Sequence, residues 1–391
     1  MVPDAVCLGE AMTAFLPSRP GPLADVPSFT RSVGGAEANT ACALADAGHR
    51  VRWVGRVGAD AFGDHVVAAL TARGVDVSAV QRDPHRPTGI YFRTATDRSA
   101  PGHEVVYHRA GSAASALGPH TADRDAVHAG RVLHLTGVTA ALSADCLALM
   151  RDLTARRPGR PLLSFDVNHR PALWRHADAG PVLLDLARGA DLVFVGHDEA
   201  RALWGLHGAR AVRQALPEPD VLVVKLGPGG AVVFHPDPDG SVGCGGGVVT
   251  VERPPRVDCV DATGAGDAFA AGFLSAVLRG LPVRDRLRHG HLRAAAALTE
   301  PGDLAARLDP VHADRLVALD DGAWGRLRLG PGWTRRPPGA AQDHRAGQAR
   351  EAGQAQEARQ TQEARRTPGA RAARESPQSR EARAAQEGHT R

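Results

Sequence analysis

The chain has 391 residues, with 47 Lys and Arg against 43 Asp and Glu for a formal net charge of +4, a length that holds one large or two ordinary domains with an ample core. Five scattered cysteines with no C-x-x-C pair suggest neither a disulfide framework nor a zinc site and suit a reducing cytoplasm. The start Met-Val-Pro-Asp lacks a basic segment followed by an apolar run, and no stretch reaches the length of a membrane span, which argues against secretion and insertion.

In chain order, short β-branched runs alternate with alanine-rich helical patterns almost to residue 300. Strands are expected over Ala5 to Gly9, Arg52 to Val57, Val132 to Thr136, Leu162 to Asp166, Leu192 to Val195 and Val221 to Leu226. Helices are expected over Ala36 to Ala47, Ala61 to Arg73, Ser143 to Arg156, Val182 to Ala190 and Glu199 to Trp204. This rhythm predicts an α/β fold with a mostly parallel sheet covered by helices on both faces, and ligands of such folds sit beyond the carboxyl ends of the strands. Two segments, Ala11 to Ser32 and Thr88 to Arg109, interrupt the rhythm with β-rich pieces joined at Asp97 to Gly102. They predict a small antiparallel flap able to close over a substrate and exclude water, or else an edge ornament.

Several local patterns carry chemistry. Gly34-Gly35-Ala-Glu-Ala-Asn39 opens a helix of small residues where backbone and Asn39 can approach a polyol closely, although Gly-Gly before a helix is also ordinary loop chemistry. Asp60 in Gly58-Ala-Asp-Ala-Phe-Gly is expected to cap the helix after it. Lys225 is the only lysine in the chain, at the end of a strand before Gly227-Pro-Gly-Gly230. Asp261-Ala-Thr-Gly-Ala-Gly-Asp267 precedes the apolar run from Ala268 to Leu278. There the first helical N–H groups of Gly264, Ala265 and Gly266 form an anion hole, and Asp267 is placed to accept the proton of an attacking hydroxyl. Thr263 or Asp267 acting as a plain helix cap is the alternative.

The segment 335–391 holds twelve Arg against seven Asp and Glu, which leaves a net charge of −1 for residues 1–334. It has no large apolar residue and repeats Gln-Glu-Ala-Arg, so it is expected to be a disordered low-complexity tail. Without aromatic residues to stack on bases, it argues against nucleic acid as a partner.

Gly34-Gly35 with Asn39, Gly58-x-Asp60-x-Phe-Gly63 and Asp261-x-Thr-Gly-Ala-Gly-Asp267 occur in an order and spacing that resembles the ribokinase-like (PfkB) carbohydrate kinases over roughly residues 4–305. The resemblance implies an αβα sandwich with a small β-sheet lid, residues 1–334 as the kinase domain, and a homo-oligomer where lids of two copies pair. It implies ATP with Mg²⁺, Asp267 as catalytic base, and the amides of Gly264, Ala265 and Gly266 as anion hole. Lys225, Gly227 and Gly230 then border the nucleotide together with Gly264 and Gly266. Within the family, Thr88-Gly-Ile-Tyr91, Tyr107-His-Arg109-Ala-Gly-Ser and Phe165-Asp-Val-Asn-His-Arg170-Pro-Ala-Leu-Trp174 are most similar to the 2-keto-3-deoxygluconate kinases. By that similarity Gly34, Gly35, Asn39, Tyr91, Tyr107, Arg109, Asn168 and Arg170 contact the sugar acid, whose carboxylate suits a guanidinium fork.

Two departures qualify what carries over. The family's Asn-x-x-Glu element reads Gly196-His-Asp-Glu199 here, which keeps Glu199 as a metal-side residue and loses the Asn. Ala262 replaces a frequent Thr, so no monovalent-cation requirement follows. A kinase of a neutral sugar such as fructose or ribose, or a sugar-binding protein of the same fold without catalysis, remain alternatives at this point.

Overall fold

The computed structural model describes residues 2–94, 104–174, 177–236 and 247–335. The expected Asp97 to Gly102 turn, Cys244 and the tail from residue 336 lie outside the described residues.

Eight strands form the main sheet in the order Val248–Glu252, Ala231–His235, Val221–Lys225, Leu192–Gly196, Leu162–Asp166, Val132–Thr136, Ala5–Leu8 and Val51–Val54. The last six are mutually parallel; Ala231–His235 joins Val221–Lys225 antiparallel, and Val248–Glu252 joins Ala231–His235 antiparallel in turn. Because side chains alternate across a strand, the parallel strands divide their apolar residues between two cores. Leu133, Leu135, Phe165, Val193, Val195 and Val224 face one. Cys7, Trp53, Phe194 and Val223 face the other, together with Ala38, Ala41, Phe269 and Phe273 of the helices Ala36–Asp46 and Ala265–Leu278. Burial on both faces is why these strands read as near-continuous apolar runs. No helix among the described residues is long and apolar enough to cross a membrane.

The expected strand Arg52 to Val57 is two strands, Val51–Val54 and Arg56–Gly58, because the chain turns away at Gly55 and pairs next with Gln81–Asp83. A β-carbon on Gly55 would lie 2.3 Å from the Trp53 ring, so only glycine turns there without displacing that core residue. Asp60 caps the following helix Ala61–Ala72 by accepting the N–H groups of Phe62 and Gly63 at 3.1 and 2.8 Å.

The flap is a four-stranded sheet in the order Phe29–Gly34, Met12–Pro17, Ile90–Arg93 and Val105–His108. The expectation of a wholly antiparallel flap needs correction: its central pair, Met12–Pro17 with Ile90–Arg93, is parallel, while both outer pairs are antiparallel. Those central strands are far apart in sequence, so no hairpin forces opposite directions, and both run into the lid the same way. One lid face carries the stacked pair Phe15–Phe92, with ring centroids 4.7 Å apart, and Phe29 against Phe92 at 5.2 Å. Alternation sends Tyr91 and Arg93 to the opposite, buried face.

Candidate active site

The carboxyl ends of the parallel strands bring polar and charged groups to the site. Thr136, Asp166, Gly196 and Lys225 are each the last residue of their strands, and Glu10 follows Ala5–Leu8 by two residues. Strand parity puts Thr136, Asp166 and Lys225 on the sheet face that packs against the helix Ala265–Leu278.

That helix begins at Gly264, whose φ of 75° is left-handed and whose position lacks any side-chain cap. The N–H of Thr263 is held by Asp261 Oδ1 at 2.9 Å. Asp267 caps no N–H of the helix: Asn39 Nδ2 donates to its Oδ2 at 2.9 Å and Asn168 Nδ2 to its Oδ1 at 3.0 Å. The plain-cap reading of Thr263 or Asp267 therefore does not hold. Burial raises the Asp267 carboxyl above its ordinary value and Asp166 adds to the rise, while Arg170 and the Asn39 hydrogen bond oppose it. A carboxylate with raised proton affinity, oriented by two amides, is suited to general-base work.

Asn39 reaches Asp267 because it lies in the first turn of Ala36–Asp46, and Thr40 beside it donates to the Asp267 carbonyl at 3.3 Å. Asn168 reaches it through a φ of 41°, the sole positive φ of a non-glycine among the described residues. Such strain at a residue touching the candidate base accords with a functional position. The glycine pair before Asn39 has internal causes. A β-carbon on Gly34 would lie 2.0 Å from the Tyr91 hydroxyl, and one on Gly35, at φ 151°, 2.2 Å from the Glu10 carbonyl.

Lys225 Nζ donates to Asp166 Oδ2 at 2.7 Å. Burial alone would lower its proton affinity, but Asp166, Glu199 and Asp267 together hold the ammonium above the ordinary lysine value. It stands 3.5 Å from where a Gly266 β-carbon would be, which brings one fixed positive charge to the anion-hole backbone. Gly227 and Gly230, with φ of 56° and 101°, form the turn after this strand, where Leu226 N donates to the Gly230 carbonyl at 2.8 Å. Glu199 accepts the N–H of Gly196 at 2.7 Å and of His169 at 3.0 Å, so both its oxygens hold backbone. No group of three or more His, Cys, Asp or Glu that could hold a metal occurs among the described residues.

On the lid side, Arg109 pairs with Glu10 through Nη2 and Oε2, and Ser112 Oγ donates to the other Glu10 oxygen at 3.0 Å. The Arg109 guanidinium also lies over the Tyr107 ring, 5.4 Å from its centroid, and Tyr107 sits 5.4 Å from Tyr91, ring to ring. Arg170 approaches from the segment after Leu162–Asp166, donating to the His169 carbonyl at 3.3 Å. The two arginines thus reach the site from different elements, Arg109 from the lid and Arg170 beside the base.

Sequence reasoning assigned no role to Glu10, Glu37, Arg93, Asp166 or Asp303. Position at a strand's carboxyl end was the available signal for Asp166. The other four had none, because their partners are distant in sequence. Glu37 is fully buried, and its Oε1 accepts from the Thr136 and Thr139 hydroxyls at 2.7 and 2.8 Å. Burial, its principal perturbation, pushes the carboxyl up to about 7 from 4.5. The folded chain then binds this proton more tightly than the unfolded chain does. Glu37 stabilises fully below pH 4.5, and that contribution is lost as pH rises toward 7. Glu37→Gln is expected to remove this decline and to stabilise the protein at pH 8 by about 3 kcal/mol relative to the unaltered chain. Urea unfolding of both proteins at pH 5 and pH 8 measures it, and an unchanged difference between the two pH values refutes it.

Residues 2–309 match the family described as pfkB family carbohydrate kinase. A 2-dehydro-3-deoxygluconokinase of Bacillus subtilis (strain 168) is 35% identical over 312 residues, covering 77% of this chain and 91% of the relative. Another of that name, from Thermoproteus tenax, is 36% identical over 317 residues, 80% of this chain and 93% of the relative. The crystal structure of a PfkB protein from Polaromonas sp. JS666 superposes with a TM-score of 0.69 at 33% identity, covering 81% of this chain and all of that one.

Proposed function

This chain belongs to the pfkB family of carbohydrate kinases, and from that premise we propose that it transfers the γ-phosphoryl group of ATP to the terminal hydroxyl of 2-keto-3-deoxygluconate. The products are ADP and 2-keto-3-deoxy-6-phosphogluconate. The observation that carries this reading is Asp267, buried and held by Asn39 and Asn168 beside the glycine-headed helix. Asp267 accepts the hydroxyl proton as the oxygen attacks phosphorus, and the bond to the departing ADP breaks. The Gly264, Ala265 and Gly266 amides, with Lys225 against Gly266, hold the charge on the transferred group. Gly34, Gly35, Tyr91 and Tyr107 enclose the sugar, Arg109 and Arg170 recognise its carboxylate, and Gly227 and Gly230 border the nucleotide.

Mg²⁺ fits in the manner usual for phosphate enzymes, through phosphate oxygens and water. Asp166 and Glu199 would be the protein carboxylates on its side of the site, the first paired with Lys225 and the second holding the N–H groups of Gly196 and His169. When bound, the ion would neutralise phosphate charge. The buried thiols Cys7, Cys42 and Cys146 are free, which suits a reducing cytoplasm.

A neutral-sugar kinase is the second reading. One observation favours it: Glu10 already neutralises Arg109. The test is ADP formation by the purified protein with ATP, Mg²⁺ and a panel of sugar acids and neutral sugars. Arg109→Lys sharpens it, because lysine keeps the charge opposite Glu10 but lacks the fork. The expected result is a roughly ten- to hundredfold loss of kcat/KM on the sugar acid with little change on neutral sugars. Equal loss on both supports the second reading.

A further inference from the structure

Arg93 is 3% exposed and has no part in the chemistry proposed above, yet it joins three separate segments. Its Nη2 donates to Asp261 Oδ2 at 2.6 Å, and its Nε lies 3.4 Å from Asp303 Oδ2. Asp261 uses its remaining capacity on backbone, accepting the N–H of Thr263 at 2.9 Å and of Gly302 at 3.1 Å. The Asp303 side chain hydrogen-bonds the Tyr91 hydroxyl, and its carbonyl lies 2.3 Å from where a Gly264 β-carbon would be. Tyr91 and Arg93 project from the same face of the lid strand Ile90–Arg93. A guanidinium carried by the lid therefore hydrogen-bonds one of the two loops whose backbones meet at Gly264 and forms an ion pair with the other.

We propose that Arg93 is a positioning residue that clamps the Asp261 and Asp303 loops together from the lid and so sets the backbone of the Gly264 to Gly266 anion hole. Two physical reasons converge. A planar fork can hold carboxylates from two loops at once, which an ammonium at one point does less well. Removing it also leaves two buried carboxylates uncompensated beside the backbone that must receive a phosphate. The loop then takes its working shape only while the lid strand is seated. This inference rests on the phosphoryl-transfer reading of the site.

Hydrogen exchange supplies a test that does not depend on turnover, because the Thr263 and Gly302 amides report on Asp261 directly. In Arg93→Met these two amides are expected to exchange at least about tenfold faster, while amides of Ala5–Leu8, Val132–Thr136 and Leu162–Asp166 keep their protection. The kcat should fall about a hundredfold, with KM for ATP changing far less. Arg93→Lys should recover part of both losses. If Arg93→Met does not fold, Arg93→Met with Asp261→Asn removes one stranded charge; it should restore the fold without restoring kcat. A folded Arg93→Met with unchanged kcat and unchanged Thr263 and Gly302 exchange overturns the proposal. So does uniform loosening of the whole sheet with kcat per folded molecule unchanged. Failure of the unaltered protein to form ADP from any sugar would instead overturn the proposed function, and the exchange comparison would still decide whether the clamp exists.

Discussion

Asp267→Asn is expected to lower turnover by roughly two to four orders of magnitude while the protein stays folded. Both oxygens of Asp267 accept from amide groups, those of Asn39 and Asn168, so an asparagine at 267 presents one donor to another donor. Either neighbour can resolve the conflict by rotating its amide, because Asn39 Oδ1 and Asn168 Oδ1 are buried with no hydrogen-bond partner. The substitution also removes a buried charge whose desolvation is the chief reason the Asp267 carboxyl sits above its ordinary value. Thermal stability should therefore hold or rise as activity collapses. The acidic limb of the pH profile, displaced upward in the unaltered enzyme by burial of the base, should vanish with it. ADP release at saturating substrates measures the first effect and thermal unfolding the second; turnover within tenfold of the unaltered enzyme would remove Asp267 from the base role.

Gly264→Ala should produce the next largest loss. Its φ of 75° costs an alanine roughly 1–2 kcal/mol, and the new β-carbon would meet the Asp303 carbonyl at 2.3 Å. Neither partner is a flexible side-chain end, so backbone must move at the head of the helix. A displacement on the order of 1 Å in a positioning element is enough for about a hundredfold loss of rate. Gly266→Ala provides the contrast: its β-carbon would meet only Lys225 Nζ, at an ordinary 3.5 Å. Alanine at 266 should leave stability nearly unchanged and act on activity alone, whereas alanine at 264 should lower both. Equal melting temperatures for the two variants, or unaltered turnover with alanine at 264, would count against the account of this loop.

Much of the frame was legible because its causes are local. The runs at Val132 to Thr136 and Leu162 to Asp166 were bounded correctly to the residue, since a strand buried on both faces announces itself by continuous apolar character. The Asp60 cap was legible because the N–H groups it accepts lie two and three residues away. The parallel centre of the lid was not legible, because a β-rich segment carries no mark of its partner's direction. The break at Gly55 was missed because its cause is the Trp53 ring, and the sequence shows a continuous β-branched run there.

The sequence by itself determined the α/β alternation, the lid segments, and a glycine loop with a carboxylate at the mouth of an apolar helix, because periodicity, φ preference and helix-end chemistry act over a few residues. Only the tertiary structure decided which charges meet. Arg109 finds Glu10 across 99 positions, Lys225 finds Asp166 across 59, Arg93 finds Asp261 across 168, and Asn39 finds Asp267 across 228. A buried charge is tolerable only beside a partner. Which partner it has depends on where strand ends, lid and helix converge, and that is a property of the packed sheet.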